Sequence, residues 1–146
     1  MSKSNACENS LLLLLFNNTD FALIGDAAGL QNSAAAGSFY VSLHTSDPGE
    51  AGTQSTNETA YTGYARVAVA RSGAGWTVTG NSVSPVANID FGECTASPGA
   101  ALTHFGVGTD SSGAGVLLYS GTLTPNITMA TGVIPRIKTT STITED

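Results

Sequence analysis

Short runs of alternating apolar and polar residues, each closed by a Gly, Pro, Asn or Asp turn signal, recur along this chain from residue 38 onward. This rhythm limits the fold more than any other feature. In "SFYVSLH" (38–44), Phe39, Val41 and Leu43 fall on one side of an extended strand, and Tyr40, Ser42 and His44 on the other. "YARVAVARSGAGWTVTGNSV" reads as two strands around Ser72-Gly73-Ala74-Gly75, with Arg66 and Arg71 on opposite faces if both lie in one regular strand. "VANIDF" and "LTHFGVG" are further strands, and "GVGTDSSGAGVLLYSG" is a hairpin whose loop is Thr109 to Gly115. "VLLYSG", apolar at four consecutive positions, is expected to be a central strand covered on both faces. "NITMATGVIPRIKTTSTITED" adds two short β-branched runs broken by Pro135, which cannot donate to a ladder and so suits an edge or bulge.

These runs predict an all-β fold, an antiparallel β-sandwich or jelly roll of about eight strands with one N-terminal helix. No helical period separates the strands, so a parallel α/β sheet is disfavoured. The expected organisation is an N-terminal docking helix over residues 1–20 and a single β-sandwich domain over 21–146. "FALIGDAAGLQNSAAAG" (21–37) has no clear period and reads as a loop with a short helical turn. "TSDPGEAGTQSTNETAYTG" (45–63) reads as an exposed polar loop that offers nothing to bury.

The helix is predicted from "SLLLLLFNN" (10–18). Its apolar core, Leu11 to Phe16, is far shorter than the roughly 20 residues of a membrane span. Glu8 and Asn9 separate it from Lys3, which does not fit a secretory signal. Asn5 as N-cap with Glu8 three residues on resembles a capping box, Asn17-Asn18 offers a stop, and the helix is expected from Ala6 to Phe16. Six consecutive apolar residues cover every side of its last turns. They must therefore be buried on more than one side, against their own domain or a neighbouring subunit.

Chemistry is sparse. A net charge of −6 with five Lys and Arg leaves no basic stripe for nucleic acid. Cys7 and Cys94 lie outside any CxxC spacing, and His44 and His104 form no HxxxH or HExxH pattern, so two idle thiols in a reducing cytosol are expected, with no metal and no cofactor. Asp47, Glu50 and Glu58 do not match an EF-hand loop. Gly106, Gly108 and Gly113 complete neither GxGxxG nor GxxxxGK[ST]. Ser42 and His44 share a strand face about 7 Å apart, too far for a direct hydrogen bond without a bend. No catalytic residues are expected. Tyr40, Tyr61, Tyr64, Trp76 and Tyr119 are candidates for stacking a sugar, but their strand positions suit core or interface packing equally. The sequons at Asn17, Asn57 and Asn126 are incidental in so Thr-rich a chain.

"YVSLHTSDPGEAGT", "YTGYARVAVARSGAGWTVTGNSVSP" and "THFGVGTDSSGAGVLLYSGTLTPNI" together resemble a family of small tailed-bacteriophage virion proteins, loosely labelled tail-fibre or head-decoration proteins. The likeness runs from about Phe39 to the C-terminus, and the leucine-rich start is also similar. The resemblance implies a virion structural role without catalytic residues, in a protein assembled in the bacterial cytoplasm. A compact β-domain with little charge and apolar segments favours a capsid cement or decoration protein on the outer capsid surface, bridging capsomers. Its partners would be the major capsid protein and copies of itself, with no nucleic acid and no membrane insertion. A tail-associated or tail-fibre protein is the alternative, and a carbohydrate-binding surface at either location is the third reading. The residues expected to supply contacts are Leu11, Leu12, Leu13, Leu14, Leu15, Phe16, Pro48 and Pro135.

Overall fold

The N-terminal helix forms where the leucine run is punctuated. In a computed structural model that describes residues 2–146, α1 spans Asn5–Asn17. Ser4 is the N-cap, in extended backbone, and its hydroxyl accepts from the Cys7 amide at 3.3 Å. The cap is thus one residue earlier than expected, with Cys7 rather than Glu8 at the third helical position, so no capping box forms. Asn18 ends the helix in the left-handed region (φ 53°), a conformation that Asn tolerates.

The chain divides into two compact units. The first comprises the chain up to Ser38, Val69–Asn88 and Lys138–Asp146. Here α1 packs against β3 (Trp76–Thr79) and β4 (Ser82–Pro85), which pair antiparallel, and β9 (Ile143–Thr144) adds to β4. The sequence suggested a hairpin turning at Ser72–Gly75, but the strands that pair are β3 and β4, through Gly80-Asn81. Gly80 takes φ +60° at the first central position of this two-residue loop, where a side chain would be strained.

Leu12 and Phe16, one turn apart, are fully buried, and the Phe16 ring meets the Trp76 ring edge-to-face at 5.0 Å. Burial of these two side chains stabilises the unit by about 1.5–3 kcal/mol each. Leu11, Leu13, Leu14 and Leu15 are half-buried, so no residue of the run is fully exposed. Arg71 closes the helix from outside. Its guanidinium donates to the carbonyls of Leu15 (2.6 Å), Leu14 (2.9 Å) and Ala36 (3.0 Å), placing a cation at the negative end of the helix dipole.

The second unit comprises Phe39–Ala68 and Ile89–Ile137. β1 (Ser38–His44) pairs antiparallel with β6 (Leu102–Gly108), and β6 with β7 (Leu117–Ile127); β2 (Val67–Ala70), within which the division between units falls, completes the sheet order β2-β1-β6-β7. β5 (Ile89–Asp90) pairs separately with β8 (Arg136–Ile137). The architecture is the expected all-β one, antiparallel, consistent with a sandwich, with nine strands and one N-terminal helix among the described residues.

Two local expectations change and a third is refined. "VLLYSG" is not central: β7 ends the sheet order, and Val116 and Leu118 are exposed. The segment 45–63 is not simply an exposed loop, because Gln54, Thr59 and Tyr61 are buried. Pro135 immediately precedes β8, an edge strand paired with β5 alone, as its missing donor suggested, but it is not exposed there. Its ring is fully buried and its carbonyl accepts from the Phe91 amide at 3.0 Å, since a proline barred from donating can still extend a ladder as acceptor.

Replacing Arg71 by Met should leave the carbonyls of Leu14, Leu15 and Ala36 without this donor and lower stability by about 1–3 kcal/mol. Urea denaturation followed by Trp76 fluorescence measures the change.

Candidate functional site

Of the segments that carried the family resemblance, residues 40–53, 61–68 and 103–127 lie in the second unit, and the rest of the middle segment belongs to the first. Antiparallel register sets Ser42 opposite Gly106 and His44 opposite His104. The Ser42 hydroxyl lies 2.9 Å from His44 Nε2, and His44 Nδ1 lies 2.8 Å from the Thr56 carbonyl. The two side chains therefore lean together, closing the separation expected from regular strand spacing. A carbonyl only accepts, so Nδ1 carries the proton, and Nε2 accepts from the serine hydroxyl. Gly106 makes room for the pair: a Cβ there would sit 2.6 Å from Ser42 Oγ, 2.7 Å from His44 Nε2 and 2.8 Å from Leu117 Cδ1.

Gln54 lies over the neighbouring glycine in the same way. Its amide donates to the Tyr40 carbonyl (3.1 Å) and accepts from the Asp110 amide (2.9 Å), and a Cβ on Gly108 would collide with its side-chain carbons. A third element is the buried Arg66. Its Nε and Nη2 each donate to one Glu58 carboxylate oxygen at 2.7 Å, while Nη1 donates to the Asp110 carbonyl (2.8 Å) and Nη2 also to that of Gly113 (2.6 Å). Tyr64 completes the cluster, donating to Glu58 (2.7 Å) and accepting from the Leu43 amide (3.1 Å). Arg66 thus ties the 45–63 segment to the β6–β7 loop by a bidentate, charge-assisted pair.

The electrostatics follow from burial. Desolvation holds the His44 pKa below its ordinary 6.5, outweighing the Thr56 hydrogen bond and the Glu58 carboxylate; Arg66 and His104 act in the same direction as burial. Desolvation and the hydrogen bond to Glu58 push the Tyr64 hydroxyl far above the usual tyrosine range, and burial raises Tyr61 to about 12. Glu58 raises the pKa of Arg66.

A hydroxyl on an imidazole whose other nitrogen is oriented by an acceptor is the arrangement that activates a serine nucleophile. Here Ser42 and His44 are both 0% exposed. Their geometry serves as a satisfied polar pair in the core.

The only two sequence-predicted contact residues outside the helix, Pro48 and Pro135, are both buried. The loop around Pro48 is itself exposed and is shaped by Asp47, whose carboxylate accepts from the Gly49 amide (2.9 Å) and whose carbonyl accepts from the Asn57 side chain (2.9 Å). Asp47 and Glu50 line an open cleft of about 350 Å³ opposite Leu117–Ser120. Of the five aromatics considered for sugar stacking, Tyr61 and Trp76 are buried and Tyr40, Tyr64 and Tyr119 half-buried, Tyr119 at this cleft. Both cysteines are free. Among the described residues, no group of three or more His, Cys, Asp or Glu is placed to hold a metal ion, and no helix is long and apolar enough to cross a membrane.

Sequence reasoning missed Gln54, Glu58, Tyr64 and Arg66 as a group. The spacing of Tyr64 and Arg66, two apart on one face of an extended segment, was the available signal; their acceptors lie in other segments.

Gly106→Ala should force Ser42, His44 or Leu117 to shift and lower stability by about 1–3 kcal/mol, read by chemical denaturation. The unfolded histidine titrates near 6.5 and the folded one below it, so between those values the unfolded chain alone binds the proton. The His44 contribution is accordingly complete above about pH 6.5 and is lost as pH falls through that window. The denaturation midpoint of the wild type should drop more steeply from pH 7 to pH 5 than that of His44→Gln; equal slopes would refute this.

Among curated proteins none matches the sequence. A family model described as podophage GP4 fiber I protein gp80 matches residues 2–145, essentially the whole chain and both units of the fold. The chain belongs to the podophage GP4 fiber I protein gp80 family, a family of bacteriophage virion structural proteins.

Proposed function

We propose that this protein is a structural component of the podophage tail-fibre apparatus, acting through protein–protein contacts and catalysing no reaction. The observation that carries this reading is the family match over residues 2–145, whose description is a fibre protein. It favours the tail over the capsid surface, so the cement role expected from composition gives way to the alternative. That expectation leaned on a compact β-domain with little charge and apolar segments, but a fibre can also be assembled from short globular β subunits.

Two structural features support a contact role. The hydroxyl and imidazole with nucleophile-like geometry are sealed in the core. Meanwhile Leu23, Ile24, Leu30, Val86, Val116, Leu118 and Ile134 all expose apolar surface, the kind that interface cores bury. The partners are other proteins of the particle, copies of this chain among them. The half-buried leucines of α1 keep part of their surface available for such contacts.

Fractionation of purified virions into tails and DNA-filled heads tests the assignment. The protein should be recovered with the tails, in copies that track the number of fibres. Recovery with heads, in copies that track capsomers, would restore the cement reading.

A further inference from the structure

The segment joining α1 to β1 is ordered without being packed. Phe21 and Leu30 pair across its neck through two backbone hydrogen bonds (3.0 and 2.9 Å). Below them, Asn18 exchanges side-chain bonds with the Ser33 amide and carbonyl (2.9 and 2.8 Å), and the Asp20 carboxylate accepts from the Asn32 amide (2.7 Å). Within the loop, Asp26 accepts from the amides of Ala28 (2.8 Å) and Gly29 (3.1 Å), and Gln31 donates to the Ala28 carbonyl (2.7 Å). Yet every residue from Ala22 to Ala28 is exposed. These bonds hold a shape that covers no core. Compact surface loops with closed necks are frequently functional.

The tip of this loop opposes folding stability twice over. Leu23 adopts φ +68°, in the left-handed region where a branched side chain crowds the backbone, and its side chain is 80% exposed. Ile24 beside it is 42% exposed. A glycine at position 23 would suit the backbone better and a polar residue would suit water better. Strain held in place by surrounding hydrogen bonds points to a use outside folding. The charges indicate what that use meets. Asp20 and Asp26 flank the apolar tip, and no Lys or Arg occurs between Lys3 and Arg66.

We propose that the Phe21–Leu30 loop is a docking knob that inserts Leu23 and Ile24 into an apolar socket with a cationic rim on a different protein of the virion. A second copy of this chain is a poor match for that rim. Of its five Lys and Arg, Lys3 pairs with Glu145, Arg66 with Glu58 and Arg136 with Asp90, and Arg71 holds the α1 carbonyls, leaving Lys138. An anionic lipid surface would repel the same carboxylates.

This inference rests on the chain being a virion protein and holds for whichever particle fraction carries the wild type, so it can fail while the tail assignment stands, and the reverse. Phage carrying Leu23→Gly, Ile24→Ser or Asp26→Asn are grown in cells that also express tagged wild-type protein, and the ratio of variant to wild type in purified virions is measured. Leu23→Gly relieves the backbone, so the isolated variant should unfold no earlier than wild type on heating, while its share of virion copies falls about tenfold or more. Ile24→Ser, which leaves the strained residue untouched, should show the same direction of loss. Asp26→Asn keeps the side-chain acceptor and removes the charge, so its incorporation should fall and lose sensitivity to salt. Undiminished incorporation of Leu23→Gly and Ile24→Ser would overturn the proposal. So would an oligomer of the isolated wild type that Leu23→Gly dissolves, or Leu23-dependent binding to phosphatidylcholine vesicles, since these would make a second copy or a membrane the occupant.

Discussion

The second unit depends on side chains laid across the backbone of a strand that has none of its own at two positions. Gly106 and Gly108 leave β6 bare where Ser42, His44 and Gln54 must lie, and any Cβ there would occupy their space. Polar side chains are costly in a core unless every donor and acceptor finds a partner. Here the partners are supplied: the Thr56 carbonyl for His44, the Tyr40 carbonyl and Asp110 amide for Gln54, and four acceptor contacts for Arg66. Parts of the family-like segments, distant in sequence, meet in this arrangement.

Such a core trades apolar burial for directional bonds. A hydrophobic cluster tolerates repacking, whereas a bidentate Arg66–Glu58 pair also bound to the β6–β7 loop admits few alternatives. A particle component that must present the same surface in every copy benefits from that specificity. In the first unit the logic is more ordinary: an apolar helix covers a short antiparallel sheet, and the Arg71 guanidinium neutralises the end of the helix that the chain leaves open.

The proposed contact role accords with where apolar and polar groups lie. Groups that look reactive are enclosed and bonded to one another, while aliphatic side chains stand out in water on an ordered loop and on β7. β7 is an edge strand, and such edges invite pairing unless irregular. Its pairing with β6 is interrupted by two register shifts, which blunt the edge and leave contact to side chains.

Much of the fold was legible in the sequence. The alternation of "SFYVSLH" and the turn-bounded run "LTHFGVG" mark β1 and β6 to the residue, and the leucine run with its Asn stop marks α1 to within a residue or two, because these signals are local. The polar stretch 45–63 misled for the opposite reason: composition describes what solvent would favour, not what buried partners can satisfy. The sequence by itself determined the class, the single helix, the strands of strong period and the turn-forming glycines, since period and turn chemistry act over a few residues. Only the tertiary structure decided that Ser72–Gly75 does not close a hairpin, that Pro48 and Pro135 face inward, that "VLLYSG" is an edge, and that Glu58, Arg66 and Asp110 meet. Those outcomes depend on pairing energies and hydrogen-bond partners contributed by segments far apart in the chain, and no local pattern encodes them.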